Sequence, residues 1–110
     1  MTPVDLDVSL AEVTPEMVRA LRAAGPFGQG FTGPNLLCQG AVVRAQRPFA
    51  QHHLELVVEQ SGTEGRVVLF GGAGAPISPG QRVSFTFDPE FDTYRGGDAL
   101  SLRVNELWPS

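Results

Sequence analysis

Residues 4–10 alternate between apolar and polar positions, with Val4, Leu6, Val8 and Leu10 on one side and Asp5, Asp7 and Ser9 on the other. A period of two predicts a half-buried β-strand. The pattern then turns helical. Thr14 offers a side-chain oxygen as N-cap, Pro15 suits the first helical position because its missing N–H leaves no bond unmade, and Glu16 complements the helix dipole. Met17, Val18, Leu21 and Ala24 form one apolar stripe, and Gly25-Pro26 ends the helix. The glycines and prolines from Pro26 to Pro34 predict a loop. An apolar-rich strand follows from Leu36 to Gln46, with Gly40 a bulge inside it. His52 to Gln60 places Leu54, Leu56 and Val58 on one strand face, and Ser61 to Gly65 closes a hairpin onto Arg66–Phe70. After a Gly/Ala/Pro-rich loop from Gly71 to Gly80, Arg82–Phe91 alternates Val83, Phe85 and Phe87 with Arg82, Ser84 and Thr86. Asp92 to Gly97 turns the chain into a last strand, Ala99–Leu107.

Five such strands without a long helix among them predict a mainly β protein, a small closed or partly open barrel, because closure removes the exposed edges of a flat sheet. Residues 1–25 are a strand-helix extension that must pack on the barrel of residues 26–110, since a lone strand and a lone short helix are unstable in water. No internal repeat breaks the chain.

With 110 residues there is room for one domain and one core, and 42% apolar and 18% charged residues are ordinary for a globular protein. No apolar run approaches the ~20 residues of a membrane span, so no membrane partner is expected. Met1-Thr2-Pro3-Val4-Asp5 is acidic and has none of the basic and apolar regions of a secretion signal, which makes the cytoplasm the expected compartment. The single cysteine, Cys38, forms no intrachain disulfide or cysteine-based zinc site and reads as an inert core thiol. Eight arginines, no lysine and twelve acidic residues give a net charge of −4. Phosphate neutralisation supplies most of a nucleic-acid binder's affinity, so this chain alone should bind nucleic acid weakly.

Several motifs stand in a characteristic order. A short helix ending near Leu21 is followed by Pro26-Phe27-Gly28-Gln29-Gly30 and Phe31-Thr32-Gly33-Pro34. His53-Leu54-Glu55-Leu56, Val67-Val68-Leu69-Phe70, Gly80-Gln81-Arg82-Val83-Ser84-Phe85 and Leu100-Ser101-Leu102-Arg103-Val104 come after it. Over nearly its whole length this order resembles the OB domain of RecJ-type (DHH family) single-strand-specific exonucleases. The resemblance implies a five-stranded OB-fold-like barrel that holds single-stranded DNA beside catalytic domains which contain two Mn²⁺ or Mg²⁺ ions. The Asn-Pro-x-Pro half of the family's loop is replaced by Phe31-Thr32-Gly33-Pro34, and the Asp-His-His signature of the catalytic core has no counterpart here. The chain therefore reads as an excised domain of a larger enzyme or a stand-alone descendant that has lost catalysis, in either case without catalytic residues or a metal of its own, in DNA repair and recombination.

For the binding face, OB-folds use aromatic rings that stack on bases, arginines that track phosphates, and the two loops after the first and fourth barrel strands. Arg44, Arg47 and Phe49 lie on the first of these connections and Tyr94 and Arg95 on the second, which makes them the candidate nucleic-acid-binding residues. Phe31 and Trp108 are further aromatics at loops or strand ends, although each such ring taken singly is more often packing than platform. Gly28 and Gly30 have N–H groups that a phosphate would accept, but the motif precedes a strand where phosphate loops open a helix. The plainer reading has Phe27 plugging the barrel end while the glycines permit the turn. His52 and His53 with Asp88, Glu90 and Asp92 suggest a metal only weakly, because three acids at alternate positions share one strand face and cations want carboxylates that converge from several elements. A solvated acidic edge and a structural His53 are expected instead. Two other functions remain open: a protein-interaction module docking a basic partner along Asp88–Asp92, and a small-molecule binder using the barrel mouth.

Overall fold

The computed structural model describes residues 4–24, 35–72, 77–92 and 95–110. The elements are β1 (Leu6–Asp7), a 3₁₀ turn (Leu10–Glu12), α1 (Pro15–Ala24), β2 (Leu36–Phe49), β3 (His53–Gln60), β4 (Thr63–Leu69), β5 (Arg82–Phe91) and β6 (Leu100–Pro109). β2, β3, β4, β6 and β5 neighbour one another in that order, and β5 returns to β2, which closes a five-stranded barrel. All barrel pairs are antiparallel except β4–β6, which closes in parallel through Val67 opposite Leu102 and Val68 opposite Arg103. The expected mainly β barrel is therefore the observed one.

Alternation fills the barrel. Leu54, Leu56, Val58, Val67, Val83, Phe85 and Phe87 are all buried, and the rings of Phe85 and Phe87 lie 5.4 Å apart. Gly40 bulges β2 as its position suggested: the register against β5 shifts between Cys38 and Ala41, and Gly40 holds φ +75°, a conformation side chains rarely adopt. Burial pushes the Cys38 thiol up to about 11, with the Asp7 charge adding to the shift and a Gln60 hydrogen bond opposing it, so this cysteine stays a protonated core residue.

The N-terminal segment departs from the expected strand. Only Leu6–Asp7 pair, in parallel with Leu36–Leu37; Val8 and Leu10 are buried, whereas Val4 and Leu6 are exposed. Two contacts turn the chain off the sheet. The Gln60 side chain accepts the Leu10 N–H at 2.7 Å and donates to the Gln39 carbonyl, and Gly65 leaves the space that Leu10 fills. A Cβ on Gly65 would stand 3.1 Å from Leu10 Cδ2. Ser9 N–H donates to Glu12 Oε1 at 2.8 Å and closes the 3₁₀ turn. α1 begins as predicted, with Met17 N–H on Thr14 Oγ1, and buries Val18 completely. It is tied to β5 by Arg22, which donates to Asp88 and to the Pro89 carbonyl, and by Arg19, which pairs with Asp98 and lies over the Phe91 ring.

The β2–β3 connection is shorter than expected. β2 runs on to Phe49, with Arg47 opposite Glu55, Pro48 opposite Leu54 and Phe49 opposite His53. Its pairing with β5 ends at Val42, so the last part of β2 is an edge, where proline is tolerated. The remaining turn places both Ala50 and Gln51 at positive φ, +49° and +68°. An L-residue there costs on the order of 1–2 kcal/mol. Gln51→Gly is expected to raise the urea midpoint, by about 0.5–1 kcal/mol of stability after the entropy of the added glycine is subtracted.

Candidate nucleic-acid interface

Strand register assembles one outward surface from β2, β3, β4 and β6. Ala45, Val57 and Arg66 form one cross-strand row; Arg47, Glu55, Val68 and Arg103 form the next; Phe49 and His53 stand beyond them, beside Phe70. The three rings make a continuous aromatic strip. His53 lies 5.3 Å from Phe49 and 4.9 Å from Phe70, edge-on to the latter, and the Arg103 guanidinium sits 5.2 Å over Phe70. Phe70 is 55% exposed. The Gly71 N–H donates to His53 Nδ1 at 2.8 Å, which assigns the proton of the neutral ring to Nε2.

Beside Val57 and Arg66 lies a groove of about 390 Å³, lined by Val57, Glu64, Arg66, Arg95, Asp98 and Leu100, with Leu10 and Val13 also in its wall. Arg95 therefore lies where the OB pattern placed it, on the connection after the fourth barrel strand. Its guanidinium is held by Asp92 at 2.8 Å and by the Leu100 carbonyl at 2.7 Å.

The sequence-derived candidates divide. Arg47, Phe49 and Arg95 lie on this surface or its groove, and Arg44 is next to it, paired with Glu59. Arg44, Arg47 and Phe49 stand on β2 itself and not on a connection, because Pro48 continues an edge strand. Tyr94 and the loop motif Phe27, Gly28 and Gly30 lie outside the described residues. His53, Arg66, Phe70 and Arg103 share this surface without having been among the candidates. The signal was the period of two in Arg66–Phe70: with Val67 and Leu69 facing the core, Arg66, Val68 and Phe70 must share the outer face.

Arginine on this protein is almost wholly engaged. Arg19, Arg22, Arg44, Arg47, Arg66, Arg95 and Arg103 each pair with a carboxylate, and among the described residues only Arg82 has no such pair. The acids of β5 are part of this. Asp88 and Glu90 stand on β5 while Asp92 lies just past its end, so the three do not form the expected single solvated edge: Asp88 is 7% exposed and bonded to Arg22, Glu90 is paired with Arg103, and Asp92 with Arg95. Among the described residues no three His, Cys, Asp or Glu side chains are grouped to hold a metal ion.

Burial holds the Asp88 carboxyl above the ordinary carboxylate range; Arg22 pulls it down, Glu90 pushes it up and Arg103 again lowers it. As pH climbs, the unfolded chain therefore gives up this proton first, and the ionised carboxyl costs stability above its raised pKa. Below the ordinary carboxylate range both states hold the proton and the cost is zero. Asp88→Asn, which keeps an acceptor for Arg22, is thus expected to be at least as stable as the parent at pH 7, the difference closing in acid. Urea midpoints at both pH values check this, and a less stable variant at pH 7 would show that the ion pair outweighs the desolvation.

A closed five-stranded barrel with one parallel closing pair, its outer face carrying rings and arginines, is an OB-fold. A family model described as the RecJ OB domain matches residues 4–106, and the chain belongs to that family. It is 30% identical over 110 residues to the single-stranded-DNA-specific exonuclease RecJ of Escherichia coli (strain K12) and 28% identical to RecJ of Salmonella typhimurium. In each case the match covers 96% of this chain and 19% of the relative, so the chain spans about a fifth of the curated relatives' length. Among solved structures, a replication protein A heterotrimer bound to ssDNA has a chain similar in fold, with a TM-score of 0.60 at 18% identity over 89% of this chain and 78% of that one. The second OB-fold domain of replication protein A from Methanococcus maripaludis gives 0.52 at 16% identity, over 69% and 81%. No helix among the described residues is long and apolar enough to cross a membrane.

Proposed function

We propose that this chain is the non-catalytic, single-strand-binding accessory domain of a RecJ-like 5′–3′ single-stranded-DNA exonuclease, acting in the cytoplasm in repair and recombination. The observation that carries the reading is the strip Phe49–His53–Phe70 beside Arg47, Arg66 and Arg103 on one outer face, ending at the groove by Arg95. Rings at this spacing offer stacking surfaces to successive bases, and guanidiniums beside them meet the backbone. The relatives' name supplies the substrate class, single-stranded DNA, and the Mn²⁺ or Mg²⁺ chemistry belongs to catalytic domains beyond this chain. In the intact enzyme the domain closes over the strand and feeds its 5′ end to that metal site.

A labelled single-stranded oligonucleotide and a duplex of equal length, titrated by fluorescence anisotropy at low and moderate salt, test the reading. Saturable binding that prefers the single strand is expected, with weak affinity because most cations are internally paired. Failure to bind at low salt would remove the autonomous function. The excess of acids favours a second reading, a domain that docks a basic protein, in this case the catalytic domains or another partner. Retention on an immobilised basic partner with no response to DNA would select it.

A further inference from the structure

Glu55 is the one carboxylate among the described ion pairs that serves two arginines. Its Oε1 accepts from Arg47 Nη2 at 3.1 Å and from Arg66 Nη1 at 3.0 Å, across three adjacent strands. The other described pairs couple one cation to one anion, so among the ion pairs only this one keeps a surplus, two guanidiniums less one carboxylate, or +1. The surplus lies next to the aromatic strip, one cross-strand row away from Phe49 and His53. The guanidiniums remain reachable, with Arg47 71% and Arg66 37% exposed, while Glu55 is 16% exposed between them. Two forked donors converging on a single anionic oxygen form the geometry that a non-bridging phosphate oxygen also accepts.

We propose that Arg47 and Arg66 form a clamp for one backbone phosphodiester, and that Glu55 is its resting occupant, displaced when a strand binds. The inference rests on the single-strand reading above. Free of ligand, the carboxylate prevents two neighbouring cations from repelling each other; with ligand, the phosphate takes the same donors and Glu55 turns to water. The exchange lowers the domain's affinity and gives its binding a dependence on what happens to one side chain.

The test is anisotropy titration of a labelled oligothymidylate at several salt concentrations. Glu55→Gln, nearly isosteric, is expected to bind about tenfold tighter than the parent, with a log-affinity against log-salt slope steeper by about 0.7, one further phosphate contact on a single strand. Glu16→Gln on α1 changes net charge equally and should shift affinity less than twofold. In an Arg47→Gln/Arg66→Gln background the Glu55→Gln gain should vanish. Equal gains from Glu55→Gln and Glu16→Gln, or a gain that survives loss of both arginines, would overturn the clamp while leaving the single-strand reading intact. Absence of binding by the parent and every variant would overturn that reading, and the clamp with it. Thermal unfolding of each variant against the parent separates a lost fold from a lost site.

Discussion

The Phe49→Ala/Phe70→Ala double variant is expected to lose affinity for single-stranded DNA by about 100-fold while remaining folded. Each base stacked on an aromatic ring is worth about 1–3 kcal/mol by alanine substitution, and each 1.4 kcal/mol is about tenfold in affinity. Phe70 is 55% exposed, so its truncation removes little core packing, and Phe49 stands near the open end of β2. Phe70→Ala alone should give about a tenfold loss. Anisotropy with the same labelled strand reads the effect, and urea unfolding verifies the fold. Full affinity in the double variant would take the aromatic strip out of the strand's path and leave the groove at Arg66 and Arg95 as the remaining candidate. The duplex control matters here, because stacking needs unpaired bases: truncating the rings should remove the single-strand preference along with the affinity.

The largest expected loss of stability follows Phe85→Ala. Phe85 is fully buried, stands opposite Cys38 on β2 and Leu107 on β6, and packs against Phe87 at 5.4 Å. Removing a buried phenyl ring costs about 3–5 kcal/mol, the lost transfer energy plus the cavity left behind. Domains of this size are stable by only about 5–15 kcal/mol, so the variant should lose about a fifth of its stability at the least and nearly all of it at the most. The closed barrel gives the site little room to collapse, since the neighbours of β5 are themselves held by pairing, β2 to β3 and β6 to β4. The drop in urea midpoint measures it. A loss below about 1 kcal/mol would mean that the barrel relaxes around the cavity, contrary to the close packing of protein interiors.

Features that depend on near neighbours along the chain were legible in its residues. The period of two in Val83–Phe87 and Leu54–Val58 decides which side chains enter the barrel, Thr14-Pro15 starts α1, and Gly40 marks the bulge. These are consequences of strand pleat, capping and glycine's conformational freedom, all written within a few residues. The family, and with it the barrel, was legible from motif order. Partnership between distant residues came only with the packing of the folded chain. Leu10 leaves the β1 line because of Gln60 and Gly65, about fifty residues away in the chain. Pro48 continues a strand only because β5 has already parted from β2. Asp88 is buried and paired with Arg22, 66 residues away, where its alternation suggested a solvated edge. The candidate interface is the clearest case: Arg47, Glu55 and Arg66 occupy three strands, and Phe49, His53 and Phe70 become one strip only through the β2–β3–β4 register. Local alternation tells which side of its own strand a residue takes, but the residue it meets there is set by the register of distant strands, which barrel closure alone fixes.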